Sequence, residues 1–229
     1  MVKWLAAGDL AALTHAQPAD EPLALVADLR DPLILPLLRP APTSSDYDDE
    51  RRPGASDRGW FLARRAATRS LVALFTGCDA DDVVIGYDGP GAPRVKSGSC
   101  HVSVSGRGPL AAIAIARDPI GIDLEIQHSD VEVIADVLHP EEMTALSALS
   151  GEPARRRFLE IWTAKEAFLK ALGTGLNIDP ATVVSRFEED SSAALFLARD
   201  GVSAQASFHS AIFDGHAVIA SCVRLPPHD

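Results

Sequence analysis

The sequence is short of cysteine, of positive charge and of long apolar runs, and each shortage removes a class of protein. Its 229 residues hold three cysteines, Cys78, Cys100 and Cys222, with no CxxC pair. Such spacing argues against a disulfide framework and a structural zinc site, and it predicts a reducing compartment. Lysine plus arginine total 21 against 32 for aspartate plus glutamate, a formal net charge of −11. A body this acidic is repelled by a polyphosphate chain, so no nucleic-acid partner is expected. No apolar run approaches the ~20 residues that span a bilayer. Residues 1–13, with Lys3 and an early Asp9, make a poor signal peptide. A soluble cytoplasmic protein without a membrane partner is the expectation. A P-loop, a G-x-G-x-x-G opening a helix and an H-E-x-x-H are missing as well. What remains is 47% hydrophobic and 23% charged, enough to pack one large domain or two small ones.

Residues 2–27 fit one or two short helices, or a helix and a strand. Residues 31–57 contain Pro32, Pro36, Pro40, Pro42 and Pro53 and the acidic run 46–50, and read as a long loop, because prolines that dense break helix and ladder alike. Segment 60–75 reads as a helix whose apolar stripe is Phe61, Leu62, Ala66, Leu71, Val72 and Phe75, with Asp57 as N-cap and Gly77 as stop. Arg58, Arg64, Arg65 and Arg69 then read as a solvated basic face. A short strand at 82–87 precedes an alternating run at 101–105, which pairs with 110–116 as a hairpin. Further on come a strand at 120–126 and helical material at 129–149, split at His139-Pro140. A firm helix at 152–172 follows, closed by Gly173. The β-favouring runs 183–184, 193–198, 205–213 and 216–223 predict an antiparallel meander. The fold class expected is α+β, as two halves, 1–117 and 118–229, each placing helix before short strands.

Two motifs carry chemistry. In the strand Ile120-Gly121-Ile122-Asp123-Leu124-Glu125-Ile126, alternate side chains share a face. Ile122, Leu124 and Ile126 are expected to point into the core, with Asp123 and Glu125 side by side on the other face. Paired carboxylates repel unless solvent or a cation intervenes, and hard oxygen ligands suit magnesium. The plain alternative is a wet acidic face. On the helix, Trp162, Glu166 and Lys170 recur every four positions and share one stripe. Taken alone, Glu166 and Lys170 read as an exposed ion pair contributing only ~0.3–0.5 kcal/mol. Strand and helix motifs together describe a metal–phosphate site: carboxylates for the ion, one of them available as a base, and a lysine for the phosphate.

These residues resemble the 4′-phosphopantetheinyl transferase superfamily. Gly121-Ile122-Asp123-Leu124-Glu125 is similar to its G-[IV]-D-[ILV]-E, Trp162-Thr163-Ala164-Lys165-Glu166-Ala167-Phe168-Leu169-Lys170 to its W-[ST]-x-K-E-[AS]-x-x-K, and Gly173-Thr174-Gly175-Leu176 to its G-x-G-[LI]. The length resembles the larger, surfactin-synthetase-activating type, which implies a monomer of two related α+β halves with pseudo-twofold symmetry. The resemblance implies transfer of the phosphopantetheine arm of coenzyme A to a serine of an apo acyl or peptidyl carrier protein, releasing 3′,5′-ADP. It implies Asp123, Glu125 and Glu166 as magnesium ligands, Glu166 as base, and Lys170 as a catalytic lysine on the coenzyme A phosphate. Arg58, Arg65, Ser103, Ser105, Lys165 and Lys170 are the implied coenzyme A-binding set. Three positions depart from the pattern. Gly91-Ala92-Pro93 stands for the usual Gly-Lys-Pro, and Trp60 stands for an arginine. The usual N-x-S-H-S falls on Ser105-Gly106 in a gapless register or Ser103-Val104 in a shifted one, without its histidine. Arg94, Lys96 and His101 are further candidate substitutes. Two other readings stay open: a relative that binds carrier or coenzyme A without catalysis, and an unrelated carboxylate-metal phosphodiesterase.

Overall fold

A computed structural model describes residues 2–6, 21–44, 46–47, 58–87, 93–98, 100–128, 130–188, 192–197 and 201–226. The chain divides into two units, Met1–Asp118 and Pro119–Asp229.

Among the described residues the first unit is a six-stranded sheet carrying one long helix. Its strands are β1 (Lys3–Leu5), β2 (Leu23–Asp28), β3 (Ile85–Tyr87), β4 (Pro93–Val95), β5 (His101–Arg107) and β6 (Leu110–Ala116), in the order β1-β2-β6-β5-β4-β3. Only β1 and β2 run parallel; the other neighbours are antiparallel. The helix α1 (Arg58–Thr76) buries Ala67, Leu71, Val72 and Phe75 with Leu25, Val102, Ile113 and Ile115 of the sheet. It stops where expected, at Gly77, whose φ of 79° a side chain rarely adopts. Asp57, the expected N-cap, lies outside the described residues.

One expectation for this unit is corrected and another, the long proline-rich loop, is refined. The arginines of α1 do not form a solvated face: Arg65 is 5% and Arg69 1% exposed. Nor is the described part of the proline-rich segment loose. Residues Leu35–Leu38 form a 3-10 turn, Ile34 and Leu37 enter the core, and the Ser70 hydroxyl donates to the Leu37 carbonyl at 2.8 Å. The physical reason is shared. Fully buried Asp46, on that segment, accepts from Arg69 Nη1, while Arg69 Nη2 donates to the carbonyls of Pro40 (3.2 Å) and Ala41 (2.8 Å). Buried charge is tolerated only when paired and hydrogen-bonded in this way.

The second unit is a five-stranded, wholly antiparallel sheet in the order β7-β11-β10-β9-β8. Its strands are β7 (Ile120–Gln127), β8 (Val183–Phe187), β9 (Ser192–Leu197), β10 (Val202–Phe213) and β11 (His216–Arg224). The meander expected for the last four is present, and β7 adds to its β11 edge. The first half of the expected 129–149 helix is not helical beyond a single 3-10 turn, Ala135–Val137. Val131, Val133 and Ile134 are β-branched, which disfavours helix there. His139 then caps α2 (Pro140–Ser147) in a reciprocal capping box with Glu142. The long helix α3 (Gly151–Ala171) packs Ala164, Ala167, Phe168 and Leu169 onto Val183, Leu195, Leu197 and Val223. Among the described residues no helix is long and apolar enough to cross a membrane.

Candidate active site

The strand motif and the helix motif meet on one face of β7. Gly121, Asp123 and Glu125 share that face by alternation, and α3 lies directly on it. A Cβ on Gly121 would stand 1.8 Å from the Ala167 carbonyl oxygen and 2.6 Å from the Ala171 nitrogen. Opposite Asp123 in the register is Ser221, whose hydroxyl is 2.6 Å from the Thr163 hydroxyl of α3. Ile122 and Leu124 are core-facing as expected, and it is the alternative of a wet acidic face that is corrected at Asp123. Ile122 and Leu124 are buried, but so is Asp123, at 3% exposure, because a helix covers its side of the strand.

Lys170 closes the contact. Its ammonium donates to Asp123 Oδ1 at 2.6 Å and to the Ile122 carbonyl at 3.2 Å. The i,i+4 pair with Glu166 does not form; Lys170 turns to the strand instead, where a buried carboxylate is the stronger partner. Glu166 and Glu125 are half-buried beside it. Asp123 Oδ2 and Glu166 Oε1 are buried oxygens that accept no hydrogen bond from the described residues. Hard, dehydrated oxygens of this kind fit a divalent cation in chemistry. In this conformation Lys170 holds Asp123, and among the described residues no three acidic, histidine or cysteine side chains stand close enough together to enclose an ion.

Lys165 belongs elsewhere. The structure places it wholly inside the second unit, where its ammonium meets Glu142 Oε2 at 2.6 Å and the carbonyls of Val137 (2.8 Å) and Pro180 (3.0 Å). All three donors are thus spent. Glu142 in turn accepts from the Ser185 backbone and hydroxyl and from the His139 nitrogen. Burial pushes the Lys165 ammonium below the usual lysine range, against the opposing pull of Glu142. The implied coenzyme A role of Lys165 is corrected to a structural one, pinning α3 to α2 and to the 3-10 turn Pro180–Thr182.

The basic candidates of the first unit separate into two groups. Arg65 and Ser105 line one cleft of about 160 Å³ with Phe61, Arg64, Tyr87 and Gly106. The Arg65 guanidinium lies 5.2 Å from the Phe61 ring centre and 4.8 Å from that of Tyr87. Ser103 is buried in β5 and is not part of the cleft lining. Arg94 pairs with His101 across β4 and β5, and both are exposed, as is Lys96. Burial and the neighbouring Arg94 hold the His101 imidazole below its usual range, with Asp118 opposing. Trp60 packs on the core. The Arg58 side chain, Gly91 and Ala92 lie outside what is described.

Gly106, where the gapless register puts the family's histidine, has its space taken. A Cβ there would meet Arg64 Cδ and Nη1 at 2.8 Å and the Leu110 carbonyl oxygen at 2.9 Å. Arg64, anchored by donation to the Gly108 carbonyl at 2.9 Å, brings a cation to this wall from the helix side. Sequence reasoning assigned Arg64 to solvent, read Asp46 only as part of an acidic run, and placed Glu142 only at a helix start.

Comparison with known proteins agrees with this geometry. Residues 119–222 match the family model described as the 4′-phosphopantetheinyl transferase superfamily. The 4′-phosphopantetheinyl transferase HetI of Nostoc sp. is 34% identical over 125 residues, 51% of this chain and 52% of that protein. A Synechocystis sp. protein carrying the same family name is 32% identical over 136 residues, 56% of this chain and 55% of that one. The chain thus spans about half the length of these relatives. The 4′-phosphopantetheinyl transferase psf-1 of Bacillus pumilus is 27% identical over 181 residues, 75% of this chain and 77% of that protein. That last match is longer than the second unit and reaches into the first. The second unit is thus similar in sequence to the 4′-phosphopantetheinyl transferase superfamily.

Proposed function

We propose that this protein is a magnesium-dependent 4′-phosphopantetheinyl transferase that acts on coenzyme A and an apo acyl or peptidyl carrier protein. The observation that carries the reading is the meeting of the two motifs: the helix lysine, Lys170, rests on the strand carboxylate, Asp123, at 2.6 Å. Asp123, Glu125 and Glu166 would hold the ion, which supplies charge neutralisation at the pyrophosphate when bound. Glu166 accepts the proton of the carrier serine. The serine oxygen bonds to the phosphorus of the phosphopantetheine arm, the bond from that phosphorus to the ADP oxygen breaks, and 3′,5′-ADP leaves. Lys170, a quarter exposed, is placed to meet negative charge on the phosphates. Arg64, Arg65 and Ser105 of the first-unit cleft suit an anionic group of coenzyme A. A monomer in the reducing cytoplasm completes the reading, in keeping with free Cys78, Cys100 and Cys222. Complete motifs brought into contact speak against a relative that has lost the chemistry.

The test is incubation with coenzyme A, magnesium and an apo carrier protein, followed by intact mass. A carrier heavier by one phosphopantetheine supports the reading, and an unchanged carrier across fatty-acid, polyketide and peptide types sinks it. Asp123→Ala is expected to lose transfer yet keep its fold, since Lys170 can then turn to water. The cleft makes a second prediction. Gly106→His, which the family pattern alone would recommend, is expected to displace Arg64 and raise the coenzyme A KM, by about tenfold if one charged hydrogen bond is lost. A lowered KM would show that the histidine is accommodated after all.

A further inference from the structure

We infer that Asp46 is a positioning residue for ligand recognition, acting through Arg65. The inference rests on the proposal that the first-unit cleft takes an anionic group of coenzyme A. Asp46 is fully buried, and its two oxygens do different work. Oδ2 accepts from the Thr43 backbone nitrogen at 2.7 Å, from the Thr43 hydroxyl at 3.0 Å and from Arg69 Nη1. Three donors on one oxygen fix the orientation of the whole carboxylate. Oδ1 accepts no hydrogen bond and stands 3.9 Å from Arg65 Nε. At that distance the attraction is electrostatic, so Asp46 draws the guanidinium without a hydrogen bond between the two.

The Phe61 and Tyr87 rings also lie about the Arg65 guanidinium. An arginine cannot shed its charge, and its planar fork suits phosphate and aromatic faces together. Asp46 and the two rings help offset the cost of burying this charge in a cleft it shares with Arg64 and Ser105. Arg69, four residues on and one turn along α1, is the structural partner: its remaining contacts are the carbonyls of Pro40 and Ala41. One carboxylate thus serves two guanidiniums, one tied to the fold and one at the cleft wall. The ligand class that fits is a phosphate-bearing nucleotide, met by cations and aromatic rings.

The experiment is a cycle on the full chain, reading coenzyme A KM and kcat, 3′,5′-ADP affinity by calorimetry, and the melting temperature. Asp46→Asn alone strands Arg69 and is expected to lower the melting temperature. The double variant Asp46→Asn with Arg69→Met removes that stranded charge, keeps an acceptor for Thr43, and is the more informative of the two. It is expected to melt near the wild type, with KM raised about tenfold, as in Arg65→Ala, and kcat within about twofold. Added to Arg65→Ala, the same pair of changes is expected to raise KM no further, because the route through Arg65 is already gone. A restored melting temperature with unchanged KM, or full additivity with Arg65→Ala, overturns the inference. If the wild type transfers nothing yet binds 3′,5′-ADP, and both variants weaken that binding, the transferase reading fails and the positioning role stands. Wild-type protein that binds neither nucleotide overturns both.

Discussion

Gly121→Ala is expected to destabilise the second unit by about 3 kcal/mol or more, the upper range for forcing atoms into a packed interior. The added carbon would sit 1.8 Å from the Ala167 carbonyl oxygen and 2.6 Å from the Ala171 nitrogen, both of them backbone. A flexible side chain could swing aside; a helix backbone cannot without moving whole. Lifting α3 from β7 would loosen the buried contacts of Phe168 and Ala164 and separate Lys170 from Asp123. Stability and transfer are therefore expected to fall together, with a lower urea midpoint and a rate loss that added coenzyme A does not restore. An unchanged midpoint would mean that the helix does not approach the strand this closely. Gly173→Ala is a useful comparison, because nothing lies within 4 Å of its Cβ position and only the φ of 72° opposes it. Its cost should be about 1 kcal/mol.

Gly121 also shows how much of the site the sequence exposes and where the reading stops. Periodicity identified the strand, the helix and the stripe Trp162, Glu166 and Lys170, since these depend only on local spacing. Alternation correctly grouped Asp123 with Glu125, but grouping does not say which face is covered. The signal was present in Gly121 itself: a glycine inside an apolar strand marks a close backbone approach, and it shares the carboxylates' face. The arginines of α1 failed for a different reason. Phe61, Arg65 and Arg69 follow one another at four-residue steps, so their shared face is legible. Their burial is not, because the carboxylate that permits it, Asp46, lies 23 residues before Arg69, in a proline-rich segment without periodicity. Glu142 and Lys165 repeat the lesson. Each has a sufficient local explanation, a helix start and a motif position, and only the fold joins them at 2.6 Å.

Glu166 and Lys170 should respond to substitution in opposite ways at the metal, although both should cost rate. Glu166→Gln removes a charged oxygen donor and, on the proposed function, the group that takes the serine proton. Its kcat is expected to fall by on the order of 10²–10⁴, the range for losing a positioned base, and its magnesium affinity is expected to fall with it. Lys170→Ala removes the cation that the proposed function sets against the phosphates, with an expected kcat loss of on the order of 10²–10³ and a smaller change in KM. The contact at 2.6 Å makes its second effect distinctive: Lys170 competes for Asp123, so its removal should raise magnesium affinity measured without coenzyme A. A surface ion pair would show neither behaviour, since each partner would cost only ~0.3–0.5 kcal/mol and leave the metal untouched. Calorimetric titration with magnesium and steady-state kinetics on the two variants decide the matter. Wild-type kcat in both would reduce α3 to a packing helix. Equal losses of magnesium affinity would make Lys170 a support for the carboxylates rather than a competitor, because a competitor's removal can only strengthen the binding it opposes.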